Sequence, residues 1–153
     1  MAAEYSANAL QNVSPNQSVI FTESPVPCNR GLVFHRDESG MFRVASRTDC
    51  FVTCCQLPET LYQVAFHANV QIPEGGTVEE ISLALSVDGE IDPSSTMIVT
   101  PAAAEQLENV GAEIIVAVPC ICRCSTVSVR NTSTQDIDVQ NANIIFSYLG
   151  VRR

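Results

Sequence analysis

The chain of 153 residues has the length of one ordinary domain, and 46% hydrophobic residues against 16% charged supply enough apolar material for a core. A formal net charge of −9, from 17 acidic against 8 basic residues, argues against a nucleic-acid-binding surface, which neutralises phosphates with clustered Lys and Arg. All eight basic residues are arginines, so Schiff-base, P-loop and general-base chemistry of lysine are excluded.

In chain order, residues 1–12 read as an N-terminal arm or extension and residues 13–153 as one domain. The N-terminus has no basic stretch followed by a continuous apolar run, so no secretory signal is read, and no run approaches the ~18 apolar residues of a membrane span. Synthesis in a cytosol is expected. Short apolar segments at 18–22, 31–35, 41–45 and 50–55, bounded by Pro, Gly, Asp or Ser, predict strands. At 62–72 the pattern has a strict period of two: Tyr62, Val64, Phe66, Ala68, Val70 and Ile72 alternate with Gln63, Ala65, His67, Asn69 and Gln71. That is a strand with one buried face, on which Tyr62, Val64 and Phe66 belong to the core.

After the break at 73–76 the alternation returns at 81–87 and ends at Asp88-Gly89, a hairpin dipeptide. A loop around Asp92-Pro93, a β-branched run at 96–100, a helical turn within 101–109 and an apolar run at 114–118 follow. Then come a strand at 126–130, a polar turn at 131–135 and a last strand at 143–149. Roughly eight to ten strands at even spacing predict an all-β, single-domain sandwich of jelly-roll type.

Two segments are apolar on both faces. In the last strand Ile144, Phe146 and Tyr148 share one face, assigned to the core, while Ile145 and Leu149 share the other; residues 114–121 behave alike. One face packs on the opposite sheet, and the second needs a helix, which the sequence scarcely offers, or another subunit. A homo-oligomer is expected, with Ile145 and Leu149 at its axis and His67, on the polar side of its strand, facing a neighbour.

Seven cysteines (28, 50, 54, 55, 120, 122 and 124) cannot all pair within one chain. Small buried thiols in a reducing compartment are the first reading, disulfides the second and a metal site the third, since no C-x2-C knuckle occurs. On a strand Cys120, Cys122 and Cys124 would form a stripe on one face. Asp88, Glu90 and Asp92 could offer oxygen ligands to calcium but sit among ordinary turn formers. His35 and His67 lie beside no nucleophile motif, and two histidines outside an H-x-H pattern argue against a cupin-like enzyme. Asn12, Asn16 and Asn131 open N-x-S/T sequons read as chance products. No catalytic residue, cofactor or metal is expected.

The segments Gly40-Met41-Phe42-Arg43-Val44, Tyr62-Gln63-Val64-Ala65-Phe66, 81–89, Val127-Ser128-Val129-Arg130-Asn131 and Phe146-Ser147-Tyr148-Leu149 stand in an order that resembles the trimeric jelly rolls of the tumour necrosis factor and complement C1q type. The resemblance is especially to the C-terminal domain of bacterial collagen-like exosporium glycoproteins, though no collagen-like repeat is present. Residues 5–11 and 25–31 also resemble short proteins of tailed phages. Together these resemblances imply a non-enzymatic homotrimer, a capsid decoration protein made in the host cytoplasm and bound to the major capsid protein or another virion protein. No nucleic acid or membrane partner is implied. The alternative is a trimeric receptor- or glycan-binding module of a head fibre, tail tip or bacterial surface.

Overall fold

The computed structural model describes residues 1–48, 50 and 57–153. Of the strand expected at 50–55 only Cys50 falls within them; Cys54 and Cys55 lie outside the described residues. Two antiparallel sheets pack face to face. The first sheet contains β1 (Ala2–Ala7), β2 (Gln11–Val13), β3 (Glu23–Val26), β6 (Glu59–Gln71), β10 (Glu108–Pro119) and β12 (Ile137–Arg152), in the order β10-β6-β12-β1-β3 with β2 also on β12. The second contains β4 (Val33–His35), β5 (Phe42–Ala45), β7 (Ile81–Val87), β8 (Glu90–Ile91), β9 (Met97–Val99) and β11 (Cys124–Asn131), in the order β4-β5-β11-β7-β8 with β9 on β7. Several short strands at the sheet margins bring the number among the described residues above the eight to ten expected, because pieces of two to four residues carry too few alternations to show a period.

Alternation builds the core. Tyr62, Val64, Phe66, Ala68 and Val70 of β6 point inward with Ile144 and Phe146 of β12, and meet Phe42 and Val44 of β5, Leu83 and Leu85 of β7, and Val127 and Val129 of β11. Phe42 is the centre of a ring cluster, 5.0 Å from Tyr5, 5.1 Å from Phe21 and 4.9 Å from Phe146. Tyr148, assigned to the core, is half-buried at its margin, 6.0 Å from Tyr62.

Three local expectations change. Residues 1–12 are part of the sheet: β1 pairs with β12 from Ala2↔Ser147 to Ala7↔Ala142, and Ala3, Tyr5 and Ala7 are buried. A segment with apolar residues at every second position docks because it covers the core edge beside β12. Residues 101–109 hold bends and turns that lead into β10, with no helix assigned there. The cysteine stripe does not exist, because β10 stops at Pro119, Cys120–Cys122 form a 3-10 turn, and Arg123 is left-handed at φ 58° before β11 begins at Cys124. The chain crosses between the sheets at this point and cannot remain extended.

Candidate interaction face

The outward face of the first sheet collects residues from β10, β6, β12 and β1 in transverse rows. Ile145 sits between Ala65 of β6 and Glu4 of β1, and Ala65 is opposite Glu113 of β10. The next row is Ile115, Gln63, Ser147 and Ala2, and on the other side His67 lies between Gly111 and Asn143. Both flanking carboxylates are held by amides: Asn143 donates to Glu4 Oε1 at 2.6 Å, and Gln63 donates to Glu113 Oε1. Ala65 and Ile145 lie between them, and in the next row Ile115, on the edge strand β10, has 56% of its surface exposed. An added Cβ at Gly111 would lie 3.2 Å from the Phe66 carbonyl oxygen, a tight approach that a larger residue could take only if the neighbouring backbone shifted by a few tenths of an ångström.

The expected interface residues occupy this side of the molecule. Ile145 is half-buried on the face and His67 is exposed on it. Leu149, 51% exposed, lies where the β12 register slips between Tyr148↔Tyr62 and Gly150↔Leu61, towards the end closed by the Arg152–Glu59 ion pair. Ile115 was not singled out from the sequence, although the apolar residues on both faces of 114–121 contained its signal.

The remaining candidate groups serve the fold. Asp88 Oδ1 accepts the Thr126 N–H at 2.8 Å, and Asp92 Oδ1 accepts the Ser94 N–H at 2.9 Å and its hydroxyl at 2.6 Å, capping the turn Pro93–Ser95. No group of three or more His, Cys, Asp or Glu among the described residues has metal-binding geometry. His35 stacks on Phe42 with centroids 4.4 Å apart and donates from Nε2 to the Ser39 carbonyl at 3.0 Å; Nδ1 is buried without a partner. Because His35 belongs to the inner cluster and His67 to an outward face, the two do not meet.

Cys50 and Cys120 form a disulfide, the second of the three readings, with Cα atoms 5.3 Å apart. Cys28, Cys122 and Cys124 are free. Burial of Cys28 raises its pKa, but the backbone N–H groups of Arg30, Val33, Leu32 and Gly31 outweigh it and draw the thiol below its ordinary value. Of the sequon residues, Asn131 is fully buried: it donates to the carbonyls of Val13 and Gln135, each at 2.9 Å, and accepts the Ser133 N–H at 2.8 Å. It ties the loop before β12 to β2, and nothing in the local sequence marks that role.

No protein-family model matches the chain, and no curated protein matches it. Solved structures do. An Eiger tumour necrosis factor from S. frugiperda superposes with TM-score 0.64 at 14% identity, over 98% of this chain and 92% of the other. The globular domain of a zebrafish complement 1qA protein gives TM-score 0.58 at 13% identity, over 97% and 94%, and murine APRIL gives 0.58 at 9% identity, over 97% and 100%. At these identities the likeness is one of architecture: the chain has the jelly-roll fold shared by tumour necrosis factor and C1q domains.

Proposed function

We propose that this protein is a non-enzymatic structural component that self-associates as a homotrimer through the outward face of the first sheet and serves as a decoration protein on the capsid of a tailed phage, made in the host cytoplasm. The observation that carries the reading is Ile115, a large apolar side chain 56% exposed on the edge strand β10 of a face that also carries Ile145, with the carboxylates of Glu4 and Glu113 already hydrogen-bonded. The fold supports self-association, because the resemblance that names it is to trimeric domains. The resemblance of residues 5–11 and 25–31 to tailed-phage proteins supports the virion setting. A trimer would act mechanically, bridging several capsid subunits and adding interface area to the shell.

Ile115→Asp tests the self-association. A charge at this position would meet copies of itself in a closed assembly, while the folded monomer keeps it in water. Native mass spectrometry is expected to show a trimer for the wild type and a monomer for the variant, with the same β-sheet circular dichroism. A variant that remains trimeric overturns this choice of face. Binding of the wild-type trimer to purified capsids that lack their decoration protein tests the virion role, and absence of binding overturns it.

A further inference from the structure

The opposite side of the molecule, the outward face of the second sheet, carries a different surface. Phe34 of β4 and Arg43 of β5 are cross-strand partners, Arg43 is in turn opposite Thr126 of β11, and Met41 lies two residues before Arg43. These side chains share a face because alternate positions of a strand do. The bridge between Ser18 and Arg130 extends the sheet, and Ile20, two residues beyond Ser18, falls on the same side as Arg130. Phe34 (52%), Met41 (57%) and Ile20 (43%) are large apolar side chains exposed to solvent. On the far side of β11 from them, Ala84 and Ser86 of β7 lie opposite Arg130 and Ser128, and the Ser86 hydroxyl is buried without a hydrogen-bond partner.

The cations of this face are unmatched. In a chain with 17 acidic residues, the one ion pair among the described residues joins Arg152 to Glu59. Neither the Arg43 nor the Arg130 guanidinium is paired, although Asp37 and Glu38 occupy the turn between β4 and β5 and Asp88 reaches the Thr126 N–H beside Arg43. Arginine is the side chain best suited to meet carboxylates with paired hydrogen bonds, and it is enriched with aromatic residues and Met in protein interfaces.

We propose that this face docks an acidic protein surface that also presents apolar side chains, with Arg43 and Arg130 receiving the carboxylates and Phe34, Met41 and Ile20 the apolar contact. The inference deepens the reading of the protein as a trimeric decoration: the first sheet meets other copies and the second sheet meets the partner. Local charge selects the occupant: the unpaired guanidiniums of Arg43 and Arg130 call for carboxylates, and a glycan offers the exposed Phe34, Met41 and Ile20 little apolar surface.

The test is selection from a random twelve-residue peptide library displayed on beads, against the wild-type protein and against an Arg43→Glu/Arg130→Glu variant, with sedimentation of both proteins in parallel. The expected result is enrichment of peptides that combine Asp or Glu with Leu, Ile or Phe, and at least a tenfold loss of their affinity for the variant. Phe34→Ser alone is expected to weaken the same peptides several-fold. Enriched peptides without acidic residues, equal affinity for the variant, or no enrichment overturn the proposal. So does a larger wild-type assembly that the double variant breaks down to trimers, which assigns the face to a second copy. A wild-type monomer that still selects acidic peptides leaves this inference standing and overturns the trimer, so the two failures are distinct.

Discussion

At the residue scale Tyr62 shows how one position serves two states. Its ring is fully buried in the core, and its hydroxyl reaches the Ala45 carbonyl at 2.5 Å, joining β6 to the end of β5 across the sandwich. Burial pushes the phenol up from 10.0 to about 12, against a lowering by the Arg47 charge. Below pH 10 the group is protonated in both folded and unfolded chains and its full contribution is present. Between pH 10 and 12 only the unfolded chain releases the proton, so stability falls as pH rises, and above 12 the loss stops growing. A rise of this size corresponds to about 2 to 3 kcal/mol. Tyr62→Phe is expected to cost about 1 kcal/mol at neutral pH through the lost hydrogen bond, and to be less sensitive to alkali than the wild type. Urea midpoints at pH 8 and pH 11 check this; an equal drop in both proteins would place the alkaline transition on other groups, such as Tyr5, whose pKa burial also raises.

At the element scale the sheets are joined where β5 leads to β6 and β10 leads to β11. The Ser46 N–H donates to the Arg123 carbonyl at 2.7 Å and the Cys120 N–H to the Pro58 carbonyl at 3.1 Å, so both ends of the first crossing touch the second, and the Cys50–Cys120 disulfide fastens them. It closes a loop of 70 residues, a length for which chain entropy gives about 4 kcal/mol. Cys120→Ala, which keeps an apolar group at this buried position, is expected to lower stability by about 2 to 4 kcal/mol in urea without reductant, and dithiothreitol to lower the wild type by a similar amount. If reductant leaves the wild-type midpoint unchanged, the disulfide is absent in solution.

These crossings also mark where the sequence could be read and where it could not. The strand 62–72 and the two-faced strands were legible because a period of two is a local property. The 50–120 pairing was not, because spacing within Cys-Ile-Cys-Arg-Cys carries no information about a partner 70 residues away, and a left-handed Arg123 has no signal of the kind glycine supplies. The proposed interaction face was half legible: Ile145 and Leu149 were singled out from apolar residues on both sides of a strand, while Ile115 and the outward-facing Phe34 and Met41 depend on strand order. The short β4 shows no alternation from which Phe34 could be assigned outward.

At the scale of the whole molecule, charge separates the two faces. In the proposed trimer three copies at −9 would bring three times −9, or −27, together, so association of like-charged chains would be opposed at low ionic strength and would rest on apolar contact around Ile115. Salt shortens the reach of that repulsion, to about 10 Å at 0.1 M and about 3 Å at 1 M. The trimer is therefore expected to tighten as salt rises from about 0.02 M to about 0.5 M, by roughly tenfold in dissociation constant, which is about 1.4 kcal/mol. Contacts of Arg43 and Arg130 with carboxylates respond in the opposite sense, so acidic peptides bound at the second sheet are expected to weaken over the same range. Sedimentation and peptide titration across one salt series measure both. Opposite slopes agree with an apolar self-association face and a cationic docking face. A trimer that dissociates as salt rises would mean that ion pairs between copies hold it, and would move the self-association face from Ile115 towards the unpaired arginines.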